Sequence, residues 1–180
     1  KDIQHRLSVP ETAVELNLDG VCSMSVRLVD CVGYIVPSAL GYIEDEKPRM
    51  VKTPWFEEEI PFNMAAEIGT KKVITEHSTV GIVVTTDGTI GEIERNEYEE
   101  AEERVIEELK ELKKPFVVLL NSTRPSAEET RNLAKELEGK YGVKVLPVDC
   151  LGLCDEDIRS IMTEMLYEFP VRDINFFMPG

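Results

Sequence analysis

Asp30 and Gly33, in the turn Asp30-Cys31-Val32-Gly33, are the residues whose types and spacing first suggest chemistry. An apolar, β-branched run, Met24–Val29, leads straight into them. In an open α/β sheet ligands collect at the carboxyl ends of the strands. A strand ending in D-x-x-G can hold a carboxylate near Mg²⁺, through a water, and a glycine N–H near a terminal phosphate. Asp30 is therefore the candidate metal-side residue, and Asp30 and Gly33 are the candidate catalytic and nucleotide-binding pair. Asn121, which ends another apolar run (Phe116–Leu120), is the candidate near the base, supporting the loops, or else a structural strand-end amide. Asp87 follows the apolar run Val80–Thr85, either as a rival metal ligand or, the preferred reading, as the cap of its own turn. No side chain reads as a general base, which suits phosphoryl transfer, where positioning and electrostatics dominate.

The elements that must position these residues follow from periodicity. Ala13–Leu18 contains the alternating V-E-L-N-L of a half-buried strand, Asp19-Gly20 supplies a hairpin turn, and Met24–Val29 returns antiparallel. Tyr34–Pro61 carries four prolines and no periodicity, as a functional or mobile segment does; Trp55 is expected to anchor part of it. Phe62–Glu76 places Phe62, Ala65, Ala66, Gly69 and Val73 on one helical face, with His77 compensating the dipole at its end. Val80–Thr85 and Phe116–Leu120 are unbroken apolar runs, expected to be buried on both faces. Tyr98–Lys113 reads as a helix, and a Ser126/Glu129 capping box opens the next one, which Gly142 closes. Val143–Val148 is the last strand, and Asp155 is expected to cap a final helix that Pro170 stops. The order β-β-α-β-α-β-α-β-α implies an α/β fold with a mostly parallel, doubly wound sheet. Lys1–Thr12 reads as an irregular connector or a cut end, where His5 carries no inference, and 13–180 as the domain.

Composition narrows the function. At 180 residues the chain can bury one substantial core. A formal net charge of −15 disfavours nucleic acid and anionic membrane surfaces as partners. Much of that charge lies between Glu92 and Glu111 and reads as a solvated helix face. No apolar run reaches the roughly 20 residues of a membrane span, and the start lacks a signal-peptide pattern, so a cytoplasmic location is expected. Cys22, Cys31, Cys150 and Cys154 have the spacing of neither a disulfide framework nor a zinc site.

A hairpin, D-x-x-G and three βα units is the order of a P-loop GTPase-type (TRAFAC-type) domain after its first helix. No G-x-x-x-x-G-K-[ST] occurs among the residues, so the phosphate-loop unit is lacking here: either the chain is cut before Lys1 or those residues are absent. At the base-reading position stands Asn121-Ser122-Thr123-Arg124 in place of N-K-x-D. Arginine offers only donors where the guanine edge needs an acceptor. Guanine selectivity should be lost, which makes an adenine nucleotide the better candidate.

Longer blocks are more specific. Asp30–Tyr34 (DCVGY), Met50–Phe62, Ala65–Gly91, Glu100–Ser122 and Leu166–Asn175 resemble the stage four sporulation protein A family of spore coat ATPases, almost continuously from about Val26 onward. The resemblance implies a P-loop GTPase-like domain that hydrolyses ATP with Mg²⁺ and so drives self-assembly of the coat basement layer. The site would be the forespore surface in the mother-cell cytoplasm. It implies as partners other copies of the chain, a small amphipathic membrane-anchoring peptide and other coat morphogenetic proteins. The family's metal-binding Asp and its Gly fall on Asp30 and Gly33. Its phosphate-binding loop and threonine-rich segment have no match in Lys1–Pro10, and its later assembly domains would lie beyond Gly180. The alternative is a scaffold or interaction module that keeps the fold and handles no nucleotide.

Overall fold

The computed structural model describes residues 12–18, 22–41, 43–44 and 47–169. Residues 1–11 of the expected connector, the Asp19-Gly20 turn, the Pro170 stop and the end of the Leu166–Asn175 block lie outside them.

Strand β1 (Val14–Leu18) pairs antiparallel with β2 (Cys22–Val26), with Leu16 opposite Met24, as the alternation predicts. The strand expected to run to Val29 stops at Val26, and residues 27–36 have no regular structure. A β-branched run needs a hydrogen-bonding neighbour to be a strand, and among the described residues β2 pairs only with β1. The stretch without periodicity, Tyr34–Pro61, holds two hairpins: β3 (Ile43–Glu44) with β4 (Lys47–Pro48), and β5 (Met50–Thr53) with β6 (Phe56–Pro61). Their alternation is hidden because Glu57, Glu58 and Glu59 follow one another on an exposed strand. Val51 and Ile60 pack on Ala65 and Phe62, so this segment does seat on the following helix. Trp55 sits half-buried in the hairpin turn.

Helix α1 (Phe62–Lys72) buries Ala65, Ala66, Gly69 and Thr70 and widens into a π-type turn over Val73–His77. Its last carbonyls are satisfied by Lys114, whose ammonium donates to the oxygens of Ile74, Thr75 (3.2 Å) and Ser78 (2.5 Å). A lysine 40 residues away in sequence thus joins the exposed His77 at that helix end.

The centre is a parallel sheet of β7 (Gly81–Thr86), β8 (Phe116–Asn121) and β9 (Val145–Val148), in that order. Thr86, Asn121 and Val148 are register partners, so the three carboxyl ends lie side by side. The connections are α2 (Arg95–Glu111) and α3 (Glu128–Tyr141), and α4 (Asp155–Tyr167) follows β9. Residues of β8 alternate between the faces: Val118 and Leu120 meet Ile106, Leu109, Ala134 and Leu137 of α2 and α3, while Val117 and Leu119 meet α4. Leu18 joins the α4 side. Helices therefore cover both faces, and the α/β, mostly parallel, doubly wound class holds. Among the described residues no helix is long and apolar enough to cross a membrane.

Three local expectations are corrected. The Ser126/Glu129 capping box does not form; the turn closes through Ala127 N–H to Arg124 O (2.9 Å), so the helix starts at Glu128 with two glutamates in its first turn. Asp155 is already helical, and the cap is Cys154, whose N–H donates to the Asp157 carboxylate at 3.0 Å. Gly142 closes α3 at φ +65°, a left-handed conformation that glycine adopts without strain, as expected. Lastly, β7 is not buried on both sides. Val84 is 58 % exposed. Among the described residues β7 has a strand neighbour on one edge only.

Candidate functional site

Residues 29–34 run past the open side of β7 without pairing to it, and a cavity of about 440 Å³ lies between. Asp30 and Gly33 line it from one side, Val80–Thr85 from the other, and Thr70 and Glu102 contribute from the helices. Gly33 has φ +80°, a left-handed turn in which a side chain would be strained. Asp30 is exposed and makes no hydrogen bond or ion pair with any described residue. Its oxygens are therefore not spent on capping the chain. Two buried oxygens of cavity-lining residues, Glu102 Oε2 and Thr70 Oγ1, have no hydrogen-bond partner among the described residues. Buried polar atoms are rarely left so.

Beyond the strand ends lies a second polar cluster. Asp87 accepts from Thr89 N–H (3.0 Å), from the Thr89 hydroxyl (2.6 Å) and from the Thr130 hydroxyl (2.9 Å). Thr89 Oγ1 in turn accepts from Thr123 N–H (3.0 Å), and buried Ser122 accepts from Arg124 N–H (2.9 Å). Asn121 Oδ1 accepts from Cys150 N–H at 3.0 Å, tying the end of β8 to the loop after β9. Asp87 thus has the partners of a turn cap. Burial alone would raise its carboxyl pKa, but hydrogen bonds from Ser122, Thr89 and Thr130 outweigh burial and hold it below the ordinary value.

A depressed carboxylate adds stability that is present above its unfolded pKa and is lost as pH falls through the folded one. Asp87→Asn is accordingly expected to cost about 1–2 kcal/mol at neutral pH. The loss should shrink as the solution is acidified through the lowered carboxyl range. Urea unfolding of the two proteins at neutral and at acid pH checks this; a gap that does not change with pH refutes it.

The structure brings Asp30 and Gly33 to one cavity with Thr85, and brings Asn121 to the neighbouring loops with Asp87 and Cys150. Among the described residues no side-chain hydrogen bond joins Asp30 or Gly33 to Asn121, Asp87 or Cys150. Thr89 and Thr130 were not singled out by sequence, and Ser122 only as part of the Asn121–Arg124 stretch. The Asp87-Gly88-Thr89 spacing, which lets an aspartate bond the backbone two residues on, is the signal that could have found Thr89. Thr130 lies 43 residues from its partner and gives no local signal.

The chain matches the family described as Stage IV sporulation protein A, ATPase domain, over residues 5–170. The chain belongs to that family. It is 52 % identical over 172 residues to "Stage IV sporulation protein A" of Bacillus subtilis (strain 168), which covers 96 % of this chain and 35 % of that protein. The protein of the same name from Clostridioides difficile (strain 630) is 53 % identical over 171 residues, covering 95 % and 35 %. That of Bacillus anthracis is 50 % identical over 172 residues, covering 96 % and 35 %. The chain thus spans about a third of the length of these relatives. No solved structure matches it.

An ATPase domain implies a nucleotide and Mg²⁺. Among the described residues no group of three or more His, Cys, Asp or Glu could hold an ion unaided. Mg²⁺ at nucleotide sites asks for less, one or two carboxylates with water and the phosphates themselves. Asp30, exposed and without a partner among the described residues, beside the left-handed turn at Gly33, fits that requirement.

Proposed function

We propose that this chain forms most of an ATP-hydrolysing domain whose Mg²⁺-ATP cycle drives self-assembly of the spore coat basement layer around the forespore. The assembly would take place in the mother-cell cytoplasm, with a small amphipathic membrane-anchoring peptide and other coat morphogenetic proteins as partners. The observation that carries the reading is the pairing of an uncommitted carboxylate, Asp30, with the left-handed Gly33 turn in a member of a family named for an ATPase domain. Asp30 would hold the metal through water, and the Gly33 N–H would meet the terminal phosphate. Bound Mg²⁺ would offset phosphate charge. Asn121 would brace the loops beside the base. The open edge of β7, with exposed Val84 and the orphaned Glu102 and Thr70 oxygens, supports a domain completed by a further strand of a longer protein, the one carrying the phosphate loop.

Equilibrium binding of labelled ATP and GTP with Mg²⁺, to this chain and to one extended upstream of Lys1, tests the reading. ATP is expected to bind the extended chain, in preference to GTP, and far more tightly than this one. The scaffold alternative draws on a single observation, that Lys1–Gly180 contains no phosphate loop. Absence of binding to both chains would establish that alternative.

A further inference from the structure

The residue after Gly33 is gripped by two side chains of α2, one of them braced from α1. The Tyr34 hydroxyl donates to the Glu108 carboxylate on α2, and the Arg104 guanidinium carbon lies 4.1 Å from the centre of its ring. Arg104 is itself fixed: its two terminal nitrogens each lie 3.1 Å from an oxygen of Glu67 on α1, and its Nε is 3.7 Å from Glu108. Four residues on, Ser38 N–H donates to Glu97 at 3.1 Å. Glu97 and Glu108 are about three helical turns apart on α2 and so share a face. Two α2 carboxylates therefore hold both ends of the stretch from Tyr34 to Ser38.

Exposed ion pairs such as Arg104–Glu67, each side chain 46 % exposed, contribute little to stability on their own. Geometry distinguishes this one. A paired arginine fork is a rigid platform for an aromatic ring, and that ring is one peptide unit from the glycine that would meet the phosphate. Burial, together with Glu108, pushes the Tyr34 phenol well above its ordinary value, so the donor keeps its proton at any physiological pH.

We propose that Tyr34 is a positioning residue: the Arg104–Glu67 fork and Glu108 clamp its ring and thereby set the Asp30–Gly33 turn for hydrolysis. The proposal rests on the nucleotide reading given above. The clamp also couples that turn to α1 and α2, which would carry any movement of Gly33 to the β5–β6 face of α1.

The test uses the complete protein and two readouts. Cys31, half-buried between Asp30 and Gly33, reports the turn through its alkylation rate, followed on its own peptide by mass spectrometry. Tyr34→Ala is expected to speed that labelling about threefold or more and to lower kcat about tenfold, with KM for ATP moving less than about twofold. Tyr34→Phe keeps the stack on Arg104 and should fall between Tyr34→Ala and the parent. Unchanged labelling overturns the clamp. Unchanged kcat, or a loss expressed only in KM, overturns the positioning role. A parent protein that neither binds nor hydrolyses ATP overturns the nucleotide reading, and the role in hydrolysis with it; the labelling still shows whether the clamp exists.

Discussion

Asp30→Asn in the complete protein is expected to lower ATP turnover by about a hundredfold or more and to change stability by less than about 0.5 kcal/mol. The substitution keeps the side chain's shape and removes only its charge. A side chain that acts on a hydrated cation is useful through that charge. Stability should hardly notice, because Asp30 is exposed and bonds to no described residue. Were it a cap, as Asp87 is, the loss would appear in folding. Mg²⁺-dependent phosphate release and urea unfolding, measured on the same preparations, separate the two. Normal turnover would remove Asp30 from the site, and unfolding without a specific loss of turnover would make it structural.

The parallel core was legible because its signals are local. Five apolar residues in succession, Phe116–Leu120, admit little but a strand covered on both faces, and the spacing of Val105, Leu109 and Leu112 admits little but a helix. What escaped depends on partners distant in sequence. The run to Val29 has strand composition, but β2 ends at Val26, where the pairing with β1 ends. Val80–Thr85 reads as a buried strand until one knows that, among the described residues, β7 has a strand neighbour on one edge only and that Val84 is exposed. Asp30 and Gly33 could be named from a four-residue motif and from the family blocks around them. What holds them could not: Tyr34 meets Glu108 across 74 positions, and Asp87 meets Thr130 across 43. Only the fold supplies such pairs. The same limit explains Lys114, whose three carbonyl partners sit in a different element.

The second large effect is expected at Glu102, in the interior of α2. It is 4 % exposed, pairs with Arg95 at 2.8 Å and accepts from the Tyr141 hydroxyl at 2.6 Å. Burial, and then Glu102 itself, drive the Tyr141 phenol well above its ordinary value, so it remains a donor. Removing one partner of a buried charged pair leaves the other uncompensated, so Glu102→Ala is expected to cost about 3–5 kcal/mol. Tyr141→Phe deletes one hydrogen bond to a charged acceptor and should cost about 1.5–3 kcal/mol. Urea midpoints at constant slope give both values; a loss at Glu102 no larger than at an exposed glutamate would mean that water reaches the pair. The orphaned Oε2 sharpens the experiment. Among the described residues it has no donor, although Glu102 lines the cavity beside β7. If a strand of a longer protein fills that cavity and supplies the donor, Glu102→Ala must cost more in the longer protein than in this chain. Equal costs would leave the cavity without that occupant, whatever else the longer protein does.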